Sequence, residues 1–303
     1  MPTHSRFRPL VLYLLLVFAI SSIGYALVIV SGHVAGANGL YVRQLMWSPA
    51  IAAILTMAIC RRPLAQLGWR WGSWRWQILA WLVPLLYAAI AYGIVWTSGL
   101  GHVPNPEYLS HAHQAIGLPI SPSAAAALMA VLTGTIGTLN ISNALGEEIG
   151  WRGFLVPELY RVTNGNFTAT GLISGAIWGL WHTPVLLLAD YNNAGVPRWS
   201  SLTNFLLMVV ASGIVFAWFR LRSASLWTGV VMHTSHNVFI QQFFTPITQN
   251  TGRTNYFIDE FGMLVPALVL LFAIYFWTRR GELPTAPEPS PRDHQLTVPA
   301  PAQ

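Results

Sequence analysis

Glu147 and Glu148 stand side by side in GEEIGWRG (146–153), within a sequence that is otherwise strongly apolar. Arg152 follows Glu148 by four residues, the spacing at which two helical side chains share a face and pair. Glu147 then points about 100° away around the helix, with no cation beside it. The residue four before it on that face is Asn143. The two carboxylates therefore divide. Glu148 reads as a charge-paired structural group. Glu147 is less compensated and is the one placed to take and give a proton, as general base catalysis requires. A structural ion-pair cluster that uses both carboxylates is the competing reading.

Two further stretches carry polar groups on apolar sequence. SGAIWGLWHTPVLLL (174–188) holds His182, two residues before Pro184. GVVMHTSHNVF (229–239) holds His233, His236 and Asn237 at spacings of three and four. His233 and Asn237 share a face, and both can donate hydrogen bonds. Alone, His182 reads as a satisfied core histidine, and the His233–Asn237 pair is ambiguous. Together, three separate apolar segments each bring polar, titratable groups to a place where each costs free energy, which marks them as functional candidates.

The elements that must position these residues follow from composition. The 303-residue chain is 54% apolar and only 9% charged, against roughly 25% charged residues in soluble domains. It reads as an all-α, polytopic membrane protein with an intramembrane active site. Eight segments are long and apolar enough to span, near 9–30, 44–60, 76–97, 125–157, 167–189, 202–219, 225–243 and 261–278. The fourth is too long for one straight crossing. For Glu147 to meet the histidines, its helix must continue past Arg152 toward Pro157 or Glu158. Glu147, His182, His233 and Asn237 then lie between roughly 12 and 20 Å in from the same side, at about 1.5 Å rise per residue.

All sixteen basic residues are arginine, scattered between spans rather than gathered on one face. That distribution argues against a nucleic-acid partner and for a role in topology. Counted by loops, thirteen arginines fall on the side of Arg6 and Arg8, and Arg43, Arg198 and Arg253 fall on the other. Both termini are therefore expected in the cytoplasm, in a multi-pass protein of a bacterial plasma membrane. The loop RRPLAQLGWRWGSWRW interleaves Arg70 and Arg75 with Trp69, Trp71, Trp74 and Trp76. It suits the headgroup region as an interfacial anchor, with a substrate-facing lip as the alternative. The single cysteine, Cys60, excludes an internal disulfide framework and a Cys-based zinc site. Residues 281–303 are Pro-rich and poor in apolar residues, and are expected to form a disordered tail behind a membrane domain of residues 1–280.

These motifs, in this order, resemble the CAAX-protease and bacteriocin-processing family of intramembrane proteases, also called the Abi or type II CAAX prenyl endopeptidase family. EExxxR is Glu147-Glu148-Ile-Gly-Trp-Arg152, and HxxxN is His233-Thr-Ser-His-Asn237. FxxxH is Trp178-Gly-Leu-Trp-His182, with tryptophan where the family pattern has phenylalanine. The resemblance covers about residues 120–245. It implies peptide-bond hydrolysis within the membrane, with water activated by Glu147 and His182 and an oxyanion stabilised by His233 and Asn237. Glu148, Arg152, Asn143 and His236 would support them. It also implies a membrane-associated or lipidated peptide substrate that arrives from the lipid.

Metal chemistry is the nearest alternative. Glu147, His182 and His233 make up a His₂Glu set of the kind that holds catalytic zinc, although no HExxH is present. The preferred reading needs no cofactor. A proton-relaying transporter would also bury Glu and His but gives no reason for the His–Asn pair. A catalytically dead binding or immunity protein on the same scaffold is the third alternative.

Overall fold

The computed structural model describes residues 3–34, 36–135, 137 and 141–285. Three long helices open the chain: α1 (Thr3–Ser31), α2 (Leu40–Ile59) and α3 (Trp74–Thr97). The shorter α4 (Pro106–Ile116) and α5 (Pro122–Thr135) come next. Then α6 (Ser142–Glu148) continues through a π-helical segment, Ile149–Leu155, into α7 (Val156–Val162). After α8 (Phe167–Leu188) and α9 (Arg198–Ser223), α10 (Trp227–Asn237) passes through a second π-helical segment, Val238–Phe244, into α11 (Thr245–Ile247). The last helix is α12 (Leu264–Thr278). Among the described residues the only strands are β1 (Gly101–His102) and β2 (Gln249–Asn250), paired antiparallel with Gly101 opposite Asn250.

The protein is an all-α polytopic membrane protein. Among the described residues, five helical stretches are long and apolar enough to cross a membrane: 6–31, 37–59, 74–97, 167–188 and 198–223. Pro122–Thr135 and Leu264–Thr278 are apolar but shorter. Leu15, Ile23, Val30, Leu86 and Leu271 point outward, where hydrocarbon would cover them.

The fourth segment, 125–157, too long for one straight crossing, is shared between α5 and the rod that begins with α6. α5 ends at Thr135 and α6 begins at Ser142. The sequence between, Thr133 to Ser142, is Thr-Gly-Thr-Ile-Gly-Thr-Leu-Asn-Ile-Ser, a run of glycine, β-branched residues and Asn that favours helix poorly. The part that bears the two glutamates does run past Arg152, as a single rod from Ser142 to Val162.

That rod lies directly on α2. A Cβ built on Gly150 would overlap the Pro49 side chain and sit 2.6 Å from the Pro49 backbone. Only glycine permits this approach, the usual device by which membrane helices pack closely. Pairing of α8 with α9 sets the other wall, and Asn166 starts α8 by accepting a hydrogen bond from the Ala169 backbone N–H at 3.0 Å.

Arginines gather at one end of the bundle. Arg6 donates to the Arg161 carbonyl at 2.6 Å, and Arg161 donates to the Arg6 carbonyl at 2.7 Å. Arg62 and Arg161 both pair with the buried Glu158. Arg222 lies over the Trp76 ring at 5.2 Å. At the opposite end are the β1–β2 pair, the His33–Asp190 ion pair at 3.0 Å, and the bond from Asn193 to the Asn255 carbonyl. Arg152 belongs to neither end, since it is buried among helices, and it therefore leaves the set of arginines that report topology.

The start of the expected tail also moves. Leu283 packs on the core, and the Pro284 carbonyl accepts from the Tyr160 hydroxyl at 2.8 Å. Residues 281–285 thus belong to the folded part, and 286–303 lie outside the described residues.

Candidate active site

Glu147 is buried on α6, and one of its oxygens does two jobs. Oε2 accepts from the Trp178 indole N–H at 2.8 Å and from the Trp151 indole N–H at 3.2 Å. The sequence reading found no cation beside Glu147; its bonds come instead from two indole donors. Trp151 lies four residues on from Glu147, so its contact was readable from spacing. Trp178 comes from α8, and its contact was not. Asn143 lies on α6, but its side chain is outside the described residues.

Glu148 is fully buried and pairs with Arg152, Nη1 to Oε1 at 2.7 Å. The guanidinium lies over the rings of Trp178 and Phe216, at 4.1 and 4.0 Å from their centroids. The same Glu148 oxygen also takes His233 Nδ1 at 2.9 Å. Glu148 is therefore more than the partner of Arg152: it orients a site histidine. Room for it depends on Gly229, where a Cβ would lie 2.6 Å from Glu148 Oε2.

These contacts assign ring nitrogens. An ionised carboxylate accepts only, so His233 Nδ1 carries a proton and Nε2 is left for the cavity. A backbone carbonyl also accepts only. His182 Nδ1 lies 3.0 Å from the Trp178 carbonyl, so it too carries the proton, and His182 Nε2 is left with a lone pair. Asn237 ends α10 just before the second π-helical segment, and among the described residues its side chain has no hydrogen-bond partner.

Glu147, His182, His233 and Asn237 all line one cavity of about 250 Å³. Its remaining walls are largely apolar, with Leu45 and Met46 from α2, and Met208, Val209 and Phe216 from α9. None of Trp69, Arg70, Trp71, Trp74, Arg75 and Trp76 lines it. Trp69 instead accepts at its carbonyl from the Trp227 indole at 2.8 Å, as an anchoring loop would.

Residues 129–239 match the family model described as Type II CAAX prenyl endopeptidase Rce1-like. Over that stretch the chain is similar to the CAAX-protease family. No curated protein matches it. The matched stretch includes all four candidate catalytic positions and the Glu148–Arg152 pair.

Part of the cavity wall, including Gln241 and Glu260, lies outside residues 129–239. His236 lines it too, with Nδ1 2.6 Å from the Tyr87 hydroxyl and Nε2 3.4 Å from Glu260 Oε1. Glu260 accepts from Tyr191 at 2.8 Å and from Gln241. Burial alone would raise the Glu260 carboxyl, but its bonds to His236, Gln241 and Tyr191 hold it below the usual range. Burial and the adjacent Glu260 charge push Asp259 up. Sequence reasoning missed Glu260; the signal was an acidic pair, Asp259-Glu260, directly before an apolar span.

Glu147, His182 and His233, the residues of the His₂Glu alternative, all line the cavity. Among the described residues, no three His, Cys, Asp or Glu side chains gather where they could hold one ion. Bonding of His233 Nδ1 to Glu148 and of His182 Nδ1 to a carbonyl leaves both Nε2 atoms for the cavity, an orientation that ligand histidines also use.

Proposed function

We propose that this protein is a CAAX-type endopeptidase that hydrolyses a peptide bond with water activated by Glu147 and His182. The observation that carries the reading is the single cavity wall shared by Glu147, His182, His233 and Asn237. Glu147 Oε1 and His182 Nε2 are two acceptors facing the same space. A water that gives one hydrogen to each presents its lone pair to a scissile carbonyl. Glu147 takes the proton as the water attacks.

His233 and Asn237 then donate to the developing oxyanion, a contact worth about 3–4 kcal/mol per donor. His233 can donate through Nε2 only as an imidazolium, because Nδ1 already donates to Glu148. Charge counting supports that form. Two carboxylates (Glu147 and Glu148), one guanidinium (Arg152) and one imidazolium (His233) sum to zero, which buried charges require. When Glu147 takes a proton the group gains one positive charge, and the oxyanion cancels it. The site is thus neutral in the resting state and again at the tetrahedral intermediate.

The apolar walls and the lipid-facing helices suit a membrane-associated or lipidated peptide. The test is mass spectrometry of membrane peptides from cells with the wild-type protein against Glu147→Gln. Peptides cut only in the wild type are expected, and two identical peptide sets would refute the reading.

A further inference from the structure

Glu147 has two oxygens, and the structure treats them differently. Oε2 receives both indole N–H groups, while Oε1 has no protein partner among the described residues, and the side chain lines the cavity. Each indole is itself held by packing. Trp151 is 1% exposed, with edge-on contacts to Tyr13 and Trp181 at centroid distances of 6.1 and 5.7 Å. Trp178 carries the Arg152 guanidinium on its ring and lies edge-on to His182 and His233, at 5.8 and 5.5 Å. The two N–H groups are therefore aimed by the core and not by Glu147.

A carboxylate has a broad, soft terminal torsion. Without anchors it would turn, and either oxygen could face the water. We propose that Trp178, with Trp151 as second anchor, is a positioning residue that locks the Glu147 carboxylate so that Oε1 alone is offered to the water. The inference rests on the reading of Glu147 as the base. Phenylalanine at 178 would keep an aromatic ring beside His182, His233 and Arg152 but could not donate. The tryptophan N–H at this position is thus a specific addition to the site.

The test uses the full-length protein in detergent micelles. Its probes are a fluorogenic peptide bearing an S-farnesyl cysteine four residues from its C terminus and the same peptide without the lipid. Trp178 is replaced by phenylalanine and, separately, by 3-benzothienylalanine, which keeps the bicyclic shape and replaces N–H with sulfur. Both variants are expected to lose about 10- to 100-fold in kcat, the scale of a misplacement of about 1 Å, with KM within about twofold and an unchanged melting temperature. Trp151→Phe should lose kcat in the same direction. If the benzothienyl protein keeps wild-type kcat while Glu147→Gln is inactive, the anchoring role is overturned and the base assignment survives. A kcat loss with phenylalanine but not with the sulfur isostere assigns the effect to ring packing and also overturns it. If neither probe is cleaved in a Glu147-dependent way, the functional reading itself falls, and the inference falls with it.

Discussion

Glu147 and Glu148 are neighbours with opposite duties, and substitution should separate them. Glu147→Gln keeps the size of the side chain and leaves the Glu148–Arg152–His233 cluster intact. It should abolish turnover with little change in melting temperature; activity within a few-fold of wild type would sink the base assignment. Glu148→Gln leaves Arg152 buried without its counter-charge and offers His233 only a neutral amide in place of a carboxylate. Breaking a buried pair from one side costs about 3–5 kcal/mol. A melt in detergent should therefore show a large drop, with activity lost as well. Gly229→Ala approaches the same cluster from the other side. The new methyl group would lie 2.6 Å from Glu148 Oε2, and overpacking of this kind costs about 1–3 kcal/mol. If Gly229→Ala melts and cleaves as the wild type does, Glu148 has more freedom than the geometry allows.

The elements matter because two rods, each broken by a π-helical segment, carry most of the chemistry. Glu147 and Glu148 sit immediately before Ile149–Leu155, and Asn237 sits immediately before Val238–Phe244. Wide turns of this kind occur often at functional sites, and here they turn the helix face just beyond the site residues. The first rod is fixed against α2 at Gly150 and Pro49. Gly150→Ala should push the rod off α2 and move Glu147 relative to His182 on α8. The expected result is a lower melting temperature together with a fall in kcat. Gly281→Ala, where nothing lies within 4 Å of the new methyl, is the control and should be silent. Equal melts for the two variants would show that the α2 contact does not set the position of the rod.

At the scale of the whole molecule, topology and the end of the folded domain can be tested. The arginine-rich end should face the cytoplasm. A reporter fused after Arg280 should read as cytoplasmic, and one inserted near Pro104 as external; the reverse pattern would overturn the orientation. Truncation after Thr285 should leave the melt and the activity unchanged. Truncation before Gly281 removes Leu283 and the Pro284 carbonyl that Tyr160 uses, and should lower the melting temperature measurably. Metal dependence is also a property of the whole protein. The proposed mechanism activates water with Glu147 and His182 directly, so cleavage should survive exhaustive chelation. Stoichiometric zinc whose removal stops cleavage and whose return restores it would replace the proposed mechanism.

Helical spacing alone determined several features. Glu148 and Arg152 pair because side chains four apart on a helix must meet, and Glu147 is separated from them by the same geometry. Apolar content determined that the chain is a bundle of membrane helices, since buried backbone in lipid must satisfy itself. Three ordered motifs carried the resemblance to the CAAX-protease family and held residues that line one cavity. The tertiary structure decided what spacing cannot encode. Trp178 reaches Glu147 from 31 residues away, and His233 reaches Glu148 from 85. These contacts depend on how α8 and α10 are rotated against α6. That rotation is set by many small packing contacts, such as Gly150 on Pro49, none of which has a signature of its own. Glu260 escaped for the same reason: its carboxylate enters the cavity from a loop, and a loop carries no periodicity from which a facing direction can be read.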